Sequence, residues 1–319
     1  MKPYIIGLGR RGSEIARAFQ QSVSSGCIIL YADTDREDLN IRPESARLPL
    51  GGQTPSEDLR YKDIEYAFHV TMRGEEHLRD RLRGARVLFL VTGTGGGTGP
   101  GATRALASIS RGMGLPTVAL FTVPFRIEGE KRSRRALMGR NQIVREAGWT
   151  LSFHQEALLP MADPSMSVRE LMQATDETMA MAIRGLLHAT EGADDLSAFV
   201  EFMNLSPTGV FGYGLSGESA GLKSAVGAAL TSPFLSSMPL TKTMGWFLVL
   251  CSRSPLPQDD VEQARSLLLE RMGRPAYSRI RLCLLDSLKY PVESFLYATG
   301  DFGEPLYPSG VFYQPAPLG

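Results

Sequence analysis

Cysteine and histidine are scarce in this 319-residue chain, which holds three of the first and four of the second. Cys27, Cys251 and Cys283 cannot all pair and show no Cys-x-x-Cys spacing, so a reducing, cytoplasmic setting without structural zinc is expected. His69, His77, His154 and His188 form no HxH or HExxH pattern, and no metal ligand set is predicted. An excess of either charge is also missing: 34 Lys and Arg balance 34 Asp and Glu. That disfavours a nucleic-acid partner, because neutralising phosphates across a broad face needs surplus cation. Long apolar runs are absent. Runs such as Val87–Val91 and Trp246–Cys251 are strand length, far below the roughly 20 residues of a membrane span. Met1-Lys2-Pro3-Tyr4 opens no signal-peptide pattern. With 43% hydrophobic and 21% charged residues, the chain is not predominantly disordered.

What is plentiful is glycine, 33 residues, and its placement is informative. Pro3–Leu8 reads as a strand, Gly7-Leu8-Gly9-Arg10-Arg11-Gly12 as a turn, and Ile15, Ala18, Phe19 and Ser22 as the start of a helix. Cys27–Ala32 is a second strand, closed by Asp33-Thr34-Asp35. Residues 40–60 read as loop and 61–83 as a charged helix. Arg86–Thr92 and Pro116–Thr122 are apolar throughout, as parallel strands covered on both faces are. Between them Gly93–Gly101 reads as loop and Ala102–Arg111 as helix. This alternation predicts an α/β fold with a parallel, Rossmann-like sheet. Ser167-Val168-Arg169-Glu170 is a capping box opening one long helix over 167–190. Beyond it the pattern predicts a smaller α/β unit: strands at 208–214, 244–252, 278–285 and 292–298, helices at 219–231 and 258–272. The expected divisions are 1–165, 166–192, 193–300 and a tail, 301–319.

Six of the nine residues Gly93–Gly101 are glycine, between a buried strand and a helix. Glycine admits positive φ and close backbone approach, and the helix start presents free N–H groups and a positive dipole end. Gly95, Gly96, Gly97, Thr98 and Gly99 are thus expected to cradle a polyphosphate. No Gly-Lys-Ser/Thr follows, so this is not a Walker loop. Gly7-x-Gly9-x-x-Gly12 followed by Asp33 also fits a dinucleotide fingerprint, which keeps an NAD-dependent oxidoreductase open. Gly217-Glu218-Ser219-Ala220-Gly221 satisfies GxSxG, but no histidine follows His188 to complete a triad.

The stretch GTGGGTGPGA at 93–102 resembles the signature of the tubulin/FtsZ GTPase superfamily. Ala32-Asp33-Thr34-Asp35 resembles its Asn-Thr-Asp segment. Pro124-Phe125-Arg126-Ile127-Glu128-Gly129-Glu130-Lys131-Arg132 resembles the FtsZ ribose loop. The likeness runs over residues 3–300 and is to FtsZ-like proteins rather than eukaryotic tubulins. It implies a GTP-binding domain, a central helix and a second domain in a cytoplasmic, prokaryotic cytoskeletal protein. GTP or GDP with Mg²⁺ is the implied cofactor set. Gly9, Arg10, Arg11, Asp35, Glu128 and Arg132 are the implied nucleotide contacts. Asp176 matches the guanine-reading Asn, and a carboxylate accepts from both N1–H and N2–H of guanine. Asp195 corresponds to the middle carboxylate of the catalytic loop that reaches the next subunit's nucleotide, and Asp194, after a one-residue shift, is the candidate substitute for the partners missing at Ala193 and Ala198. The implied partner is the chain itself, in a head-to-tail homopolymer whose heterologous contact does not close.

The chain departs from that pattern in places. Arg10 and Arg11 replace glycines of the first loop. Gly51-Gly52-Gln53-Thr54-Pro55-Ser56 replaces the γ-phosphate segment, and Pro100 a hydroxyl residue. Ala193 and Ala198 stand where Asn and Asp are usual, which predicts slow hydrolysis. Asp301–Gly319 carries no recognisable division-adaptor motif. A non-hydrolysing, GTP-dependent scaffold is the alternative, told apart by phosphate release.

Overall fold

The computed structural model describes residues 1–22, 26–50, 63–217 and 221–303. The expected γ-phosphate segment, the centre of the GxSxG stretch and most of the tail lie outside these residues. The first strand, β1 (Lys2–Leu8), is buried from Pro3 onward and feeds directly into α1 (Gly9–Ser22). Gly9 makes that turn at a φ of 70°, in the left-handed region that favours glycine. β2 (Ile28–Asp33) lies parallel beside β1 and is followed by the short α2 (Arg36–Asn40). Residues 40–60 are not all loop: β3 (Arg47–Pro49) pairs with β2 at the sheet edge. Three residues carry too little pattern to be read as a strand. The helix expected over 61–83 is two, α3 (Ile64–Arg73) and α4 (Glu75–Leu82), separated at Gly74.

β4 (Ala85–Gly93) runs parallel to β1 on its other side. α5 spans Thr98–Arg111, four residues earlier than Ala102. Its glycines and Pro100 look like breakers, yet proline is tolerated in a first turn, where no intrahelical N–H bond is lost. β5 (Thr117–Val123), α6 (Glu130–Glu146) and β6 (Trp149–His154) extend the parallel sheet. α7 (Val168–Ala189) carries the anticipated capping box, with Glu170 accepting from the Ser167 N–H at 2.7 Å. Past it lies α8 (Ala193–Met203), where a catalytic loop was expected. Asp194 and Asp195 sit in its first turn, favourable against the helix dipole.

β7 (Thr208–Ser216), α9 (Gly221–Leu230), α10 (Pro233–Ser236), β8 (Thr243–Ser252), α11 (Gln258–Met272), β9 (Tyr277–Leu284) and β10 (Val292–Gly300) form the remainder. All strands belong to one sheet in the order β3-β2-β1-β4-β5-β6-β7-β10-β8-β9. β7 joins β6 through only two register pairs, and β10 is antiparallel to β7 and β8. Side chains alternate between faces as the pleat requires. Ile5, Val87, Phe89 and Val91 join a core with α1, α7 and α8, while Ile6, Leu8, Leu88 and Leu90 face α5. α7 packs in the first of these cores with residues from both ends of the sheet, including Phe247 and Phe295.

Beside β1 and β4 the layers approach to backbone contact. A Cβ on Gly12 would lie 2.1 Å from the Val91 carbonyl oxygen, and one on Gly7 2.6 Å from the Gly12 carbonyl oxygen. Backbone cannot swing aside as a side chain can. Gly12→Ala is expected to cost about 3 kcal/mol of stability, seen as a lowered urea midpoint; an unchanged midpoint contradicts the packing.

Candidate functional site

The sheet reverses its strand order between β1 and β4, the place where open α/β sheets bind ligands beyond their carboxyl ends. Both strands end there in their glycine turns. A Cβ on Gly9 would meet the Gly99 N at 3.3 Å, so the two turns touch. Gly99 packs tightly too, its Cβ position 2.1 Å from Thr92 Oγ1. None of the glycines from 93 to 101 adopts positive φ. Their service here is close approach rather than unusual dihedrals. Gly96 differs: it is exposed, and a Cβ there would find nothing within 4 Å. Behind it Gly97 is the N-cap of α5 and offers no side-chain cap. The helix's first N–H groups have no intrahelical partner, which suits an anion. Pro100 stands at the third helical position and supplies none.

Residues from other elements close around this turn. Thr34 Oγ1, after β2, lies 2.9 Å from Thr98 Oγ1. Asp35 caps α2, accepting from the Glu37 N–H at 2.9 Å. Asp33 is buried, and burial pushes its carboxyl up to about 6. The 124–132 segment folds onto the glycine turn as well. Glu128 accepts from the Phe125 N–H at 3.0 Å and lies 2.8 Å from Arg132 Nε, and Arg132 covers Gly95. Arg135 Nη1 donates to the Gly95 carbonyl at 3.4 Å, a contact the sequence motifs give no sign of.

The two arginines of the first turn are engaged by carboxylates. Arg10 pairs with Asp38 at 3.2 Å on the surface, where such pairs contribute little. Arg11 lies over Gly93 and reaches Asp176 on α7. Arg11 Nη1 donates to Asp176 Oδ2 at 2.9 Å, and Nη2 donates to the Met172 carbonyl at 3.1 Å. Asp176 Oδ1 lies 2.6 Å from Nη2 but off the direction of its N–H bonds, and so is buried without a hydrogen bond. Burial pushes the Asp176 carboxyl up to about 7, against the pull of Arg11.

Asp194 and Asp195 lie elsewhere. At about 1.5 Å per residue, the end of α7 is roughly 20 Å from Asp176. Arg86, at the amino end of β4, donates to the Glu191 carbonyl just before α8. The acidic turn is therefore at the opposite edge of the sheet from Gly96. Asp194 is exposed, whereas Asp195 is held by Arg281 at 3.2 Å and Arg279 at 3.8 Å, both on β9. No described helix is long and apolar enough to cross a membrane.

Residues 4–163 match the model of the tubulin/FtsZ family, GTPase domain. The chain belongs to the tubulin/FtsZ family. Cell division protein FtsZ 1 of Thermococcus kodakarensis is 26% identical over 304 residues, 94% of this chain and 80% of that protein. Its counterpart in Pyrococcus furiosus is 29% identical over 183 residues, 57% of this chain. The chain spans about half the length of the Pyrococcus relatives it matches. An empty FtsZ dimer of M. jannaschii superposes with a TM-score of 0.81 at 23% identity, covering 94% of this chain and 88% of that one. CetZ2 from Haloferax volcanii, solved as a GTPγS-bound protofilament, gives 0.77 at 22%, covering 94% and 93%. At these identities the structural likeness speaks for the tubulin/FtsZ fold, which is the α/β architecture anticipated above.

Asp33 and Asp176 both have folded-state values above the ordinary 3.8. Each binds its proton more tightly folded than unfolded. Their contribution to stability is full below about pH 4 and is lost as pH rises through about 6 and about 7. Asp176→Asn should flatten the fall in urea midpoint between pH 4 and pH 8; parallel wild-type and variant profiles contradict this.

Proposed function

We propose that this chain is a GTP-binding, filament-forming, FtsZ-like cytoskeletal protein of the cytoplasm, whose nucleotide site is completed by the next subunit of a head-to-tail homopolymer and which hydrolyses GTP slowly. The observation that carries the reading is the open space over Gly96 in front of the uncapped start of α5, at the switch point of the sheet. Phosphates placed there accept from main-chain N–H groups and meet the positive end of the helix dipole. Arg132 and Arg135, over the same turn, add cationic charge. Glu128, beside Arg132, is assigned to the ribose.

Base choice follows from Asp176. Its Oδ1 is buried and, although Arg11 Nη2 lies 2.6 Å away, makes no hydrogen bond within the described residues, and a guanine edge brings two donors, N1–H and N2–H. Adenine offers no such pair. Arg11, which donates to Oδ2, favours the ionised carboxylate against the burial that raises it to about 7. Mg²⁺ is a hard cation that keeps water and favours phosphate oxygens. The Thr34 and Thr98 hydroxyls, 2.9 Å apart beside the glycine turn, suit it as further oxygen donors. When bound it neutralises charge on the phosphates.

The acidic turn of α8 lies at the far edge from Gly96, so it reaches a nucleotide only across a subunit junction. Stacking one edge on the other is a heterologous contact that repeats without closing. Of the two carboxylates, Asp194 is free to orient a water on the neighbour's terminal phosphate, while Asp195 is tied to β9 and positions the turn. The missing partners at Ala193 and Ala198 account for slow turnover. The non-hydrolysing scaffold remains the second reading, favoured by the engagement of Asp195 with Arg279 and Arg281. NAD is disfavoured because Asp33 is buried and accepts the Asp35 N–H at 3.1 Å, leaving it poorly placed for a ribose.

Sedimentation and phosphate release with GTP and Mg²⁺ test the reading. GTP-dependent pelleting with slow release is expected, and no pelleting with GTP contradicts it. Asp194→Ala should cut release by about 10²-fold with nucleotide affinity in the monomer unchanged; weakened monomer binding overturns the assignment across the junction. Gly96→Ala should melt as wild type does yet bind GTP about 10-fold or more weakly, a loss of about 1.4 kcal/mol. Equal affinity would remove the phosphate role of that turn.

A further inference from the structure

We propose that His188, Cys251 and Cys283 form a binding site for a thiophilic d¹⁰ cation, zinc above all, which fastens the end of α7 to β8 and β9. Their ligand atoms all lie within 4.8 Å of one another. A tetrahedral zinc with bonds near 2.3 Å to sulfur holds two sulfurs about 3.8 Å apart. Closing the difference takes side-chain adjustment of an ångström or less.

The sheet itself produces the juxtaposition. Glu293 on β10 pairs in register with Cys251 on β8, and Cys251 with Cys283 on β9. The three side chains therefore form one row on one face, as the pleat requires. α7 crosses above this row. Arg184 reaches Glu293, and His188, one turn later on the same helix face, stands over the two sulfurs. Cys251 is fully buried and Cys283 is 8% exposed. No described residue hydrogen-bonds either imidazole nitrogen of His188, and its ring lies 6.4 Å from that of Phe295.

The donor set selects the ion. Two thiolates and an imidazole suit zinc and disfavour magnesium or calcium, which take oxygen. Two thiolates balance one Zn²⁺, so the ion adds no net charge to the core. Loading displaces two thiol protons to solvent. Three protein donors leave the fourth position to water. The nearby charges are already matched: Arg184 with Glu293, and Arg281 with Glu191 and Asp195. A disulfide between the cysteines would leave the imidazole without a role.

Arg281 lies two residues before Cys283, on the same face of β9, and holds Asp195. A metal gripping Cys283 and His188 therefore stiffens both supports of the acidic turn. Any effect of zinc on hydrolysis rests on the function proposed above; binding of the metal does not.

Cobalt titration of the reduced, chelator-treated full chain tests the site. One equivalent of Co²⁺ should give thiolate-to-cobalt charge-transfer bands, bleached by one equivalent of Zn²⁺. Cys27→Ser should keep the bands. His188→Gln and Cys283→Ser should each weaken zinc binding by about 100-fold or more, since even an outer-shell partner is worth 10–100-fold. Zinc should raise the melting temperature of the native chain but not of these variants, so the result does not depend on the variants' own stability. Absence of the bands, or their survival in both ligand variants, overturns the proposal.

Discussion

Backbone touches backbone where α1 and α5 leave the sheet, and the rest of the site depends on that contact. Gly7, Gly12 and Gly99 have no room for even a methyl group, their Cβ positions falling 2.1–2.6 Å from neighbouring atoms. This brings the turns after β1 and β4 side by side at the reversal of strand order. The start of α5 is left without a side-chain cap. A side chain at any of these three glycines would push the helices off the sheet. Gly96 obeys the opposite logic, being open where a ligand needs space.

The two carboxylate clusters take their character from how the chain buries them. Asp176 is desolvated and holds one oxygen bonded to Arg11 and one unbonded. Asp195 is fixed by two arginines of β9, and Asp194 beside it is free. α7 separates the clusters by most of its length, and its own burial among residues from both ends of the sheet makes it a rigid spacer.

Much of this was legible in the sequence where one residue type dominates a short window. Arg86–Thr92 and Trp246–Cys251 announce buried strands by apolar content alone, and Ser167 with Glu170 marks the start of α7. Gly93–Gly99 announces the turn. Features with mixed signals were missed. α5 starts inside what looks like loop because Gly99, Pro100 and Gly101 read as breakers, although Gly101 is needed where a Cβ would meet the Ile64 carbonyl at 2.2 Å. α8 follows an uncapped Gly192 and opens on acidic residues, so it passes for loop. Contacts distant in sequence carry no local signal at all. Arg11 and Asp176, 165 residues apart, meet only because α1 packs on α7. His188, Cys251 and Cys283 have no motif spacing, and sheet register alone unites them.

Hydrogen exchange of the main-chain amides tests the central claim most directly. With saturating GTP and Mg²⁺, the amides of residues 95–99 should slow markedly, while ATP and NAD at the same concentration leave them unchanged. Exchange at these amides that is indifferent to GTP, or slowed equally by NAD, would contradict the account.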